Sequence, residues 1–133
     1  MTFMEETVQR HEILYRAVKR SQPDTMDENG RPTSALFKQA DGVSVDRDGG
    51  REEKIIIDVF KNRFDRRFKG LVQVGADVCI DNNMAVIPKP SVNDEYHAEI
   101  FENSDKQPLG QLKALILADN SEVVVFEPQV KWV

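Results

Sequence analysis

Strict alternation of apolar and polar positions, the signature of a half-buried strand, recurs along this chain. From Ile13 to Val18, Ile13, Tyr15 and Ala17 fall on one face and Leu14, Arg16 and Val18 on the other, which predicts a strand. From Val43 to Arg47, Val43, Val45 and Arg47 share a face opposite Ser44 and Asp46. The clearest period runs through Val72, Val74, Ala76, Val78 and Ile80, set against Gln73, Gly75, Asp77, Cys79 and Asp81. It predicts one long strand over 71–80, with Asp81-Asn82-Asn83 as a hairpin turn and a return strand over Met84 to Ile87 that Pro88 and Pro90 stop. Glu95 to Glu102 alternates again, with Tyr96, Ala98 and Ile100 opposite His97, Glu99 and Phe101. The continuous run Val123 to Phe126 predicts a strand buried on both faces, and Val130 to Val133 a short final one.

Helical spacing appears twice. Ile56, Val59, Phe60 and Phe64 form a stripe within a predicted helix over 51–64. Pro108 can open a second helix with a stripe of Leu109, Leu112, Leu115 and Ile116 and a stop at Asn120. The stretch 21–33 holds Pro23, Asp24, Asp27, Asn29, Gly30 and Pro32, turn chemistry that predicts an exposed, mobile loop. Strands joined by turns make the sheet largely antiparallel. The expected fold is a single α+β domain over 1–133, a curved sheet of about six strands covered by two helices.

The length of 133 residues fits one domain. A net charge of −5, from 18 basic against 23 acidic residues, argues against a chain built to coat nucleic acid or an anionic membrane. No apolar run nears the ~18 residues of a membrane span, and the start of the chain, with Glu5 and Glu6, lacks the order of a secretory signal. Cys79 is the single cysteine and there are two histidines, so neither an internal disulfide nor a zinc ribbon can form. The expectation is a soluble cytoplasmic protein with no metal and no cofactor. Its partner would be an unidentified protein or a small-molecule anion, and the sequence assigns no oligomeric state.

Several residues could carry chemistry. His97 and Glu99 stand side by side on one face of a strand, as a base and its orienting carboxylate would; a polar outer strand face carries the same residues. Arg16 sits on a mostly apolar face, where an arginine needs a partner, a ligand or a route to water. Ser44 and Asp46 share a face that could bind a ribose hydroxyl or line a wet edge. Gly49-Gly50 before a helix could hold an anion or form a plain turn. The run Lys61, Arg63, Arg66, Arg67 and Lys69 interleaves with Phe64 and Phe68, a single-strand nucleic-acid pattern, yet cations also suit a helix C-terminus. Cys79 could meet His97 if their strands pair. No phosphate-binding glycine loop and no nucleophile elbow is present.

Gly30-Arg31-Pro32-Thr33-Ser34-Ala35-Leu36-Phe37-Lys38, Val43-Ser44-Val45-Asp46-Arg47 and Tyr96-His97-Ala98-Glu99-Ile100 together resemble a group of small bacterial and phage-associated proteins with no established activity. That resemblance implies that Ser34, Phe37, Ser44, Asp46, Arg47, His97 and Glu99 belong to one constellation. In layout, Arg16, Ser44 and Glu99 are similar to the arginine, serine, glutamate order of ADP-ribosyltransferase-like domains. That likeness implies phosphate binding by Arg16, bracing by Ser44 and ribose binding by Glu99, although His97 stands where the family has Glu or Gln. The catalytic candidates are thus His97 and Glu99, and the ligand-binding candidates Arg16, Ser34, Ser44, Asp46 and Arg47. The leading expectation is a binding or accessory protein of a bacterial or phage operon; the alternative is a small nucleotide- or NAD-handling enzyme.

Overall fold

The structure, a computed structural model, describes residues 7–127. In chain order its strands are β1 (Ile13–Lys19), β2 (Val43–Arg47), β3 (Phe68–Gly75), β4 (Ala85–Pro88), β5 (His97–Phe101) and β6 (Glu122–Phe126). Its helices are α1 (Glu53–Phe64), α2 (Ala76–Asp81) and α3 (Gln111–Asn120). The strands form one sheet in the order β4-β5-β2-β1-β3-β6, every pair antiparallel. The α+β class and the antiparallel six-stranded sheet expected from the sequence are therefore present, with a third helix added.

That helix replaces the second half of the predicted long strand. β3 pairs with β1 from Phe68 to Gly75, where Gly75 lies opposite Ile13, the first residue of β1. Beyond Ile13 no strand remains to pair with, and the last bond across is Ala76 N–H to Glu12 C=O at 2.9 Å. A backbone without a neighbouring strand must satisfy its groups internally, so the chain turns into α2. Ala76 and Cys79, one helical turn apart, enter the core, while Ile80, expected inside, is 40% exposed. Asn83 then takes φ +60, and the chain leads to β4, which pairs with β5 rather than returning along β3. The expected hairpin is absent for that reason.

Two further expectations shift. α3 starts at Gln111 after Gly110, so its inner stripe is Ala114, Leu117 and Ala118, whereas Leu112 and Leu115 are 71% and 43% exposed. β6 is an edge strand whose apolar residues are only half-buried, because a neighbour lies on one side alone. The predicted strand over 130–133 lies outside the described residues. The 21–33 stretch is mostly exposed but tied down. Asp27 Oδ1 accepts from the N–H groups of Asn29 and Arg31, Met26 bridges Pro32, and the Arg31 guanidinium donates to the Ser121 carbonyl at 3.0 Å.

Two cores flank the sheet. One unites Leu14, Val18, Val45, Val72, Val74 and Ile100 with Leu36 and Phe37 and with the inner sides of α2 and α3. The other joins Tyr15, Ala17, Phe68 and Leu71 to Ile56 and Phe60 of α1. α1 has Glu53 in its first turn and Lys61 and Arg63 in its last, as the helix dipole favours. It follows a turn in which Gly49 and Gly50 have φ +61 and +72. Gly50 N–H donates to Asp48 Oδ2 at 3.0 Å, so this is a plain turn closed by its own aspartate. A Cβ at Gly49 would strike the Tyr96 ring, so this turn and the start of β5 interlock.

Candidate functional site

The β2–β5 register sets Ser44 opposite Glu99 and Asp46 opposite His97. Partners in an antiparallel pair point to the same side, so these four side chains form one polar patch. On the same side β1 contributes Tyr15, Ala17 and Lys19. α1 covers β1 and β3 but stops short of β2 and β5, leaving a cleft of about 790 Å³. Its floor is Ser44 and His97. One wall is Val59, Arg63 and Phe64 of α1; the other is the β4–β5 connection from Lys89 to Asp94; Lys19 closes one end.

Arg63 joins the two walls. Its guanidinium donates to both Asp46 oxygens, at 3.3 and 3.0 Å, and reaches Asp94 Oδ2 at 3.3 Å. Asp46 is 2% exposed. Burial and a hydrogen bond with the Asp94 carboxyl push its carboxyl up to about 6, against the pull of Arg63. One guanidinium thus serves two carboxyl groups and fixes the β4–β5 connection to the sheet and to α1.

His97 is held from the other wall. Lys89 N–H donates to the His97 carbonyl at 2.8 Å, and His97 Nδ1 lies 3.0 Å from the Lys89 carbonyl oxygen. Glu99 shares the face of His97, yet its carboxylate turns to Lys89 Nζ at 3.4 Å. The imidazole is therefore oriented by a backbone carbonyl and not by Glu99.

Lys19 completes the site. Its ammonium stands 5.0 Å from the centroid of the Phe64 ring, which Arg67 also approaches, at 5.4 Å. Burial, then the positive charges of Arg16 and Arg67, lower its pKa. Among the described residues no carboxylate pairs with it.

Arg16 is on the opposite side of the sheet from His97 and Glu99, since the β1–β3 register sets it beside Val72 in the first core's layer. Arg16 and Glu99 therefore do not share a face, although Arg16, Ser44, Asp46 and His97 all border a small cavity of about 60 Å³. β1 and β2 pair only at Leu14–Arg47 and Tyr15–Asp46 and then diverge. Arg16 lies in the fork. Its Nε donates to the Leu36 carbonyl at 2.9 Å, and its Nη1 donates to the Ser44 carbonyl at 2.9 Å and to Gln39 Oε1 at 3.1 Å. Gln39 Oε1 also accepts from Ser44 N–H. Two side chains therefore occupy the bonding edge of β2 that a strand would otherwise fill. Burial lowers the Arg16 pKa to about 10.

The other candidates lie apart. Arg47 forms a buried ion pair with Glu12, Nε to Oε1 at 2.7 Å. Ser34 Oγ accepts from Gln111 Nε2 at 3.1 Å, against α3. Cys79 is buried in the first core on α2, where burial pushes its thiol up to about 12, so it does not meet His97. In the basic run, Arg63 is engaged by Asp46 and Asp94, and Lys61 faces Glu127 at 3.9 Å. Lys19, Lys89 and Asp94 were not anticipated. One signal for Lys19 was available: it continues the Tyr15, Ala17 face as a lone cation.

No family model, curated protein or solved structure matches this chain. Among the described residues no helix is long and apolar enough to cross a membrane.

Proposed function

We propose that the protein is a binding domain for a small-molecule anion, which it takes into the cleft between α1 and the β4–β5 connection. The observation that carries this reading is Lys19. It lines the cleft, its charged neighbours are cations, and no described carboxylate neutralises it. A cation in such surroundings gains most from an anion supplied from outside the chain. The oxyanion would sit at the Lys19 end, and the apolar surface of Val59, Phe64 and Pro90 suits a ligand body. This reading is preferred to an enzymatic one because Glu99 faces Lys89 and the imidazole is held by the Lys89 carbonyl instead of by an orienting carboxylate.

Thermal-shift titration of wild type and Lys19→Met with nucleoside monophosphates, aryl carboxylates and inorganic phosphate tests it. At about 100 times its Kd, a ligand bound only by the native state adds about 2.7 kcal/mol of stability. The expected result is a rise in Tm for wild type that Lys19→Met largely loses. An unmoved Tm with every anion, or equal shifts in both proteins, overturns the reading.

A further inference from the structure

We infer that the anion is a ring-bearing one carrying an N–H or O–H donor, and that His97 Nε2 is the acceptor that reads this donor. The inference rests on the anion reading above and supplies the other end of the ligand.

A carbonyl oxygen can only accept, so the contact of 3.0 Å with the Lys89 carbonyl obliges His97 Nδ1 to carry a hydrogen. In the neutral ring the remaining nitrogen, Nε2, is then a bare lone pair. No described group donates to it, and the ring lines the cleft. The Lys89 N–H also donates to the His97 carbonyl at 2.8 Å, which keeps the two residues side by side, and the ring cannot turn away without losing the Nδ1 contact. An oriented acceptor with no internal partner is what a site uses to select a ligand with a donor.

The separation of the two ends sets the size. Lys19 is on β1 and His97 on β5, with β2 between them. Tyr15 is level with Asp46 and His97, and Lys19 lies four residues further along β1, past the fork, so the two ends are separated by at least two strand spacings, roughly 10 Å or more, beyond the span of a free phosphate ion. Phe64, at the Lys19 end, and Pro90 line the same cleft, faces on which a flat ring can rest. A ring-bearing anion with its donor at the far end from its charge fits this order; nucleoside monophosphates and hydroxyaryl carboxylates both have that chemistry.

Calorimetric titration separates them. The probes are uridine monophosphate with its 3-methyl derivative, 4-hydroxyphenylacetate with 4-methoxyphenylacetate, and inorganic phosphate, each against wild type, His97→Asn and His97→Gln. Asn keeps a donor for the Lys89 carbonyl and places no acceptor at the Nε2 position; the Gln amide oxygen reaches it. Wild type is expected to prefer one donor-bearing probe over its methylated partner by about tenfold or more. The preference should fall to about one in His97→Asn and persist in His97→Gln. Equal binding of methylated and unmethylated probes, persistence in His97→Asn, or phosphate bound as tightly as either ring compound overturns the inference and leaves the anion reading standing. Absence of binding by every probe overturns both.

Discussion

The side of the sheet that faces α2 and α3 is sealed, and the side that faces α1 is covered over β1 and β3 only. The strands alternate in the same way on both sides. What differs is the length of chain available as cover. On the sealed side the turn carrying Leu36 and Phe37 lies against α3, and Met84 and Leu109 fill the margins. On the other, α1 ends at Phe64; Arg63 reaches and covers Asp46, while Ser44, His97 and Glu99 stay only part-buried. A partly covered sheet thus gains a cleft at the boundary between its dry and wet parts, where charges can be partly buried and still meet a ligand.

The contrast breaks most sharply with a charge on the sealed side. Val74→Asp places a carboxylate in the first core beside Leu14 and Val72, where the guanidiniums on that side, Arg16 and Arg47, are already engaged by carbonyls and by Glu12, and should cost about 4 kcal/mol or more. Ser44→Ala, on the open side, should change stability by less than about 1 kcal/mol. Urea titrations of both variants check this, and similar losses would erase the distinction between the sides.

The second effect concerns Asp46. Its native carboxyl is raised from 3.8 to about 6, so the folded state holds this proton more tightly than the unfolded chain. The stability it contributes is full below about pH 4 and is lost as the pH rises through about 6, roughly 3 kcal/mol in all. The groups around it are Arg63 from α1, Asp94 from the β4–β5 connection, and its register partners His97 and Tyr15. Asp46→Asn removes the titration. The stability of wild type minus that of the variant should therefore decline between pH 4 and pH 7. A difference that is flat or rises with pH contradicts this origin of the cleft wall.

The smallest effect is a rate. Cys79 belongs to the sealed side, with its thiol raised to about 12, so a maleimide or a disulfide reagent at pH 8 should leave it unmodified in the native state and label it in urea. Rapid native labelling would show that α2 opens.

Period and turn chemistry made much of this fold legible. β1, β2 and β5 follow their alternation, including the shared faces of Ser44 with Asp46 and of His97 with Glu99. α2 was not legible because Ala76 to Ile80 fits both a period of two and a helical turn. The decision lies in where β1 begins, a long-range fact. The site was half legible for the same reason. Alternation gives each strand its polar face, but only the β2–β5 register joins the two faces. The role of Arg63 depends on Asp46 and Asp94, which are remote from it in sequence. Arg16 stood out as an arginine on an apolar face, with a partner, a ligand and a route to water all left open; its partners are two backbone carbonyls and Gln39 at a fork in the sheet.

The fork has a mechanical side. It divides the sheet into two ribbons, β4-β5-β2 and β1-β3-β6, stitched together by two residue pairs, by the bonds of Asp48 to Ile13 and by the side-chain bond of Arg16 to the Ser44 carbonyl. Resistance to shear between neighbouring strands grows with the number of bonded pairs, so this seam is the compliant line of the sheet. The cleft lies across it, with Lys19 on one ribbon and His97 on the other. A ligand held at both ends would act as a rivet, making two hinged plates into one stiff plate. Its arrival would then be read far from the cleft, as slower hydrogen exchange along the backbone of both ribbons.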